Sequence, residues 1–204
     1  MTKVRMTVLV GVAALAVWAG QVQAYEITFN GFSFKSDVQI NHNGTSLSVQ
    51  AGAFLVDVDG NDYTAFCVDL DHWMKNEWSA DFAPVASVNG GLAAAYLYDH
   101  FASTLSSNDA AAGLQVAIWE VVDDYGSSLD LTAGNFRLTT KNGVRNAAQG
   151  FLASLPADLS GYNTGAFILS SGSCPRSQNL IVPEPATMAL LGLTLLPMAA
   201  RSKP

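Results

Sequence analysis

The sequence predicts an α+β fold: a small antiparallel sheet or barrel with a helical middle lobe. Three observations predict it. Apolar residues recur with period two in the first half of the chain, alanine- and leucine-rich segments fill the middle, and short β-branched runs close the domain. In the first half, Ile27 and Phe29 alternate with Glu26 and Thr28, and Leu47 and Val49 alternate with Ser46, Ser48 and Gln50. Asn43-Gly44 suits a tight hairpin turn between them, because both residues tolerate positive φ. A strand at Phe54–Val58 runs into the turn Asp59-Gly60-Asn61-Asp62, and Tyr63–Leu70, YTAFCVDL, continues as a strand.

The middle is helical. Gly91–Leu105 is rich in Ala and Leu. Ser106-Ser107-Asn108 offers N-caps and Asp109 suits the first turn, so a second helix should run from about Asp109 to Asp124, with Gly126 stopping it. A third follows Asn142, from Gly143 to Leu155, and Pro156 ends it. Gly165–Leu169 and Asn179–Val182 read as closing strands.

Both ends read as addresses. Residues 1–24 carry Lys3 and Arg5, an apolar stretch over Met6–Ala19 and a small-residue cleavage site ending at Ala24, the layout of a secretory signal peptide. Residues 183–204 begin with Pro183-Glu184-Pro185, continue through the apolar segment Ala186–Ala200 and end with Arg201 and Lys203. Fifteen helical residues rise about 22 Å, short of a bilayer core of about 30 Å, and Pro197 weakens the helix. Residues 25–170 make the domain proper, and 171–182, rich in Ser and Gly, a tether with a closing strand. Over residues 25–182 six basic residues stand against sixteen acidic ones, a formal net charge of −10. That balance argues against binding nucleic acid or anionic lipid.

The order of parts in the last 23 residues resembles the PEP-CTERM sorting signal of Gram-negative bacteria. The resemblance implies an exosortase as processing partner, a transient hold on the inner membrane, and delivery to the cell surface or extracellular matrix.

One polar residue breaks the apolar pattern of the second helix. Gln115 shares a face with Ala111, Ala112, Ile118, Trp119 and Val122, so its amide points inward. A buried amide without partners costs about 1–3 kcal/mol. The chain has two cysteines, Cys67 and Cys174. A disulfide is the first expectation for an exported protein, but Cys174 lies in the flexible-looking Ser-Gly-Ser-Cys-Pro segment, and Cys67 lies inside a strand.

FCVDL (Phe66–Leu70) and QVAIW (Gln115–Trp119), 48 residues from cysteine to glutamine, resemble the thioester domains of bacterial surface proteins. In that family a strand cysteine attacks the amide carbon of a helix glutamine, ammonia leaves, and an internal thioester remains. The resemblance implies this bond between Cys67 and Gln115. The family's threonine before the glutamine is Leu114 here. A thioester survives only where water is excluded, and Phe66 and Trp119, with Trp73 or Trp78, are candidates for that dry wall. The other account of the pair is a glutamine hydrogen-bonded to sheet backbone beside a free or disulfide-bonded cysteine.

Other constellations carry less. Asp57–Asp62 hints at a calcium loop, but the EF-hand pattern needs Gly and Glu where Asp62 and Val68 stand, so a hairpin turn is the better reading. His72 and His100 are weak candidates for bases that activate an amine. Asp69 and Glu120 have no spacing that aims them at the pair. No catalytic motif, metal-ligand spacing or cofactor loop is present in the sequence. The expectation is single-turnover covalent capture of a nucleophile on a partner surface, an adhesion function and not an enzyme. The alternative is a non-covalent exopolysaccharide or biofilm-matrix structural protein.

Overall fold

A computed structural model of the chain describes residues 24–140, 143–172 and 176–185. The signal peptide up to residue 23, Cys174 and the apolar tail with Arg201 lie outside the described residues. The fold is α+β, with seven strands and three α-helices among the described residues. They are β1 (Tyr25–His42), β2 (Thr45–Val58), β3 (Asn61–Cys67), β4 (Glu77–Pro84), α1 (Gly91–Phe101), α2 (Asn108–Asp123), β5 (Phe136–Leu138), α3 (Gly143–Ala153), β6 (Ala166–Ser170) and β7 (Leu180–Pro183). Every pairing is antiparallel, in the order β2-β3-β7-β6-β4-β1-β5. Because β1 also pairs with β2, six strands close into a ring, and β5 pairs with the far end of β1.

Two turns set the first three strands. Asn43 (φ 51°) with Gly44 (φ 85°), and Asp59 (φ 49°) with Gly60 (φ 83°), each put two residues in the left-handed region, the hairpin geometry that Asn-Gly and Asp-Gly favour. Two acidic residues at the second turn accept backbone hydrogen bonds. Asp57 Oδ1 accepts from Gly60 N–H at 2.8 Å, and Asp59 Oδ1 accepts from Glu26 N–H at 2.9 Å.

The closing strand is part of the domain and not of a tether. Leu180, Ile181 and Val182 are fully buried, and β7 lies between β3 and β6. Ser177 is buried too, and its backbone N–H donates to Ser171 Oγ. Serine and glycine content suggested slack here, but these hydroxyls bond to the fold. No helix of the described residues is long and apolar enough to cross a membrane.

Helix α2 is the centre of the molecule. Ser107 caps it, its hydroxyl accepting from Ala110 N–H at 3.2 Å. Residues Ala111–Val121 are all buried, so the helix has no solvent face and not the single apolar stripe that its periodicity suggested. It packs against β1, β2, β3, α1 and α3. Such close approach needs small residues. A Cβ on Gly113 would lie 2.5 Å from the Ala147 Cβ of α3. Gly113→Ala should therefore destabilise the domain by about 1–3 kcal/mol through overpacking, against the roughly 1 kcal/mol that Ala gains in an open helix. A raised melting temperature for this variant would contradict the close contact.

Candidate functional site

Strand β3 loses its neighbour at the point where Cys67 stands. The β2–β3 ladder ends at Phe54–Ala65, while on the other edge Phe66 and Cys67 pair with Ile181 and Leu180. The backbone of Cys67 would be orphaned on its β2 side. Gln115 of α2 fills that gap. Its Nε2 donates to the Cys67 carbonyl oxygen at 2.8 Å, and its Oε1 accepts from the Cys67 N–H at 2.8 Å. The carboxamide thus copies one rung of a strand, and both residues are 0% exposed. Sequence put the cysteine on a strand and the glutamine on a helix; the structure sets the Gln115 side chain against the Cys67 backbone.

The Cys67 sulfur is held by the following turn. Its S–H donates to the Asp69 carbonyl oxygen at 2.9 Å, and Asp69 N–H approaches the sulfur at 3.3 Å. Burial pushes the thiol up to about 12. The Trp119 side chain and the Asp69 backbone favour the thiolate and offset this only in part. Trp119 Nε1 makes no hydrogen bond of ordinary geometry.

The shielding candidates divide. Trp119, one helical turn beyond Gln115, is 2% exposed and packs on Phe136. Phe66 is fully buried, but alternation on a strand turns it to the opposite face from Cys67, where it meets Tyr98 edge-on. Trp78 is buried in β4 opposite Ile27, and Trp73 is 70% exposed.

A cavity of about 310 Å³ opens outside Trp119. Phe29, Phe32, Phe54, Trp73 and Met74 are part of its wall, with His72 beside them. His72 Nδ1 lies 2.8 Å from Asp69 Oδ2. The Asp69 carboxylate is itself fixed, Oδ1 accepting from Asp71 N–H at 2.9 Å and Oδ2 from Asn179 N–H at 3.4 Å. The residue left without a role by its sequence spacing therefore joins the sulfur, through its backbone, to a histidine, through its side chain. His100 sits elsewhere, stacked on Tyr96 with ring centroids 4.0 Å apart.

Acidic groups cluster at the C-terminal end of α2. Glu120 is fully buried with neither oxygen in a hydrogen bond of ordinary geometry, and burial, then the Asp124 carboxylate, push its carboxyl up to about 8. Asp123 is pushed up to about 6, mainly by burial, against the opposing pull of His42, whose Nε2 lies 3.1 Å from Asp123 Oδ2. Asp124 accepts from the backbone N–H groups of Asn135 and Phe136 and so pins β5 to the helix end. Of these partners only His42 comes from far along the chain; Asp124 stands one helical turn from Glu120 and eleven residues before Asn135.

Comparison of the chain with family models, with curated proteins and with solved structures returns no match.

Proposed function

We propose that the domain is an exported surface or matrix protein in which Cys67 and Gln115 form an internal thioester for covalent capture of a nucleophile on a partner surface. One observation carries this reading: a strand cysteine and a helix glutamine, 48 residues apart, are both fully buried, with the glutamine amide against the cysteine backbone. The sulfur attacks the Gln115 Cδ, the C–N bond breaks, and the amide nitrogen leaves as ammonia with the thiol proton. An amine on the partner later displaces the sulfur, leaving an amide at Gln115 and a free thiol at Cys67. Capture happens once per molecule, so the protein is an adhesin and not an enzyme. Export and exosortase-dependent sorting belong to the same reading. Strand β1 begins at Tyr25, directly after the proposed cleavage at Ala24, and β7 ends at Pro183, where Pro-Glu-Pro begins.

A second reading has its own support. Both polar ends of the Gln115 amide are satisfied by the Cys67 backbone, as a structural clamp requires, in a matrix protein that binds without a covalent bond. Intact-mass and peptide-level mass spectrometry of the native protein separates the two. The thioester predicts loss of one ammonia, no iodoacetamide labelling at Cys67, and methylamine addition at Gln115 that exposes one thiol. An intact Gln115 amide beside a free Cys67, or a Cys67–Cys174 disulfide, would leave only the clamp.

A further inference from the structure

We propose that the aromatic cavity outside Trp119 is the entry port for the attacking amine and that His72, oriented by Asp69, is its general base. This rests on the thioester reading and adds to it the route and the proton acceptor. Two links tie the cavity to the buried pair. Trp119 lines the cavity and stands one helical turn from Gln115. Asp69 contacts the Cys67 sulfur through its backbone and His72 through its carboxylate.

The dyad is built for orientation. The Asp69 side chain is 11% exposed and receives two backbone N–H groups, so it cannot swing away from His72. Holding His72 at Nδ1 fixes the tautomer and leaves Nε2 as the proton acceptor. The His72 side chain is 34% exposed and lines the cavity, so solvent and an incoming group can reach it. Asp71 and Lys75 lie near it on the same segment. The cavity residues from β1, β2 and α2, together with Gln178, carry no titratable group.

The reaction balances. The amine nitrogen bonds to the Gln115 Cδ as the C–S bond breaks. Its proton passes to His72 Nε2, and the departing sulfur takes up a proton from the imidazolium. The second transfer is needed because burial holds the Cys67 thiol near 12, which makes a bare thiolate a poor leaving group there. Trp119 must turn aside for the amine to pass, and its closed position keeps the bond dry beforehand. The apolar wall fits the methylene stem of a lysine better than a bare ammonium, and the formal charge of −10 over residues 25–182 draws cationic partners.

The test follows amine incorporation by mass spectrometry from pH 5.5 to 9, with methylamine and n-butylamine as probes. Rates are expressed per unprotonated amine. Wild type should show an inflection in rate against pH and should prefer butylamine. His72→Gln should keep the loss of ammonia, react about 100-fold more slowly and lose the inflection. Asp69→Asn should fall between them. Trp73→Ala, at an exposed position, should keep the inflection and lose the preference for butylamine. If His72→Gln has formed the bond and reacts at the wild-type rate with the same pH profile, the base assignment is overturned and the thioester stands. If wild type has lost no ammonia, both are overturned.

Discussion

Gln115→Ala should be less stable than Cys67→Ala by about 2–6 kcal/mol. The difference does not depend on whether the covalent bond forms, because neither variant can form it. Cys67→Ala keeps the Gln115 amide and both of its hydrogen bonds to the backbone of residue 67. Gln115→Ala removes that amide and leaves a buried N–H and a buried C=O at the end of the β2–β3 ladder with no replacement strand. Each orphaned group costs about 1–3 kcal/mol. In the thioester the Nε2 donor has left as ammonia, so the comparison of wild type with Cys67→Ala reads the link less that one hydrogen bond. A link closing a loop of 48 residues adds about 4 kcal/mol by restricting the unfolded chain. Without the link, Cys67→Ala costs only about 1 kcal/mol for a small buried side chain. Thermal unfolding of the three proteins at one pH gives both differences. Equal stability of the two variants would remove the clamp, and a wild type only slightly above Cys67→Ala would remove the link.

Those two residues were legible because each carries a local signal. Gln115 interrupts an apolar run, and Cys67 alternates with Phe66 and Val68 in a strand. The capped start of α2 at Ser107 and both hairpin turns were legible for the same reason, since Ser, Asn-Gly and Asp-Gly act on their own neighbourhoods. Strand β4 was not read, although Trp78, Ala80 and Phe82 alternate in it, because Glu77, Asp81 and Pro84 dilute the pattern. The sequence left an open sheet and a barrel as alternatives, and nothing local decided between them. Closure depends on Ile27 and Thr28 pairing with both β2 and β4, and no local feature announces a strand with two partners. The same limit hid the site's electrostatics. Asp69 and Glu120 had been set aside on spacing, yet one orients His72 and the other is buried whole. Asn179, 110 residues on, helps hold the Asp69 carboxylate, and burial in the folded core is the main influence on the Glu120 carboxyl.

Glu120 should make the domain lose stability as pH rises from about 4.5 to about 8. Its carboxyl is fully buried, burial is the main cause of its raised pKa of about 8, and the Asp124 carboxylate adds to it. The backbone of Asp130 opposes this only weakly. The unfolded chain releases the proton near 4.5 and the folded chain holds it to about 8, so over that window the native state binds more protons. Stability therefore falls with pH, by at most about 1.4 kcal/mol per unit. Glu120→Gln keeps the volume and stays neutral at every pH. It should match wild type near pH 4 and exceed it by about 2–4 kcal/mol at pH 8, while retaining a smaller decline between about 4 and 6 from Asp123, whose carboxyl is also raised by burial. Urea midpoints at pH 4, 6 and 8 measure this directly. Parallel pH profiles for the two proteins would mean that the folded state ionises Glu120 as readily as the unfolded chain does, through a counter-charge or water at the end of α2.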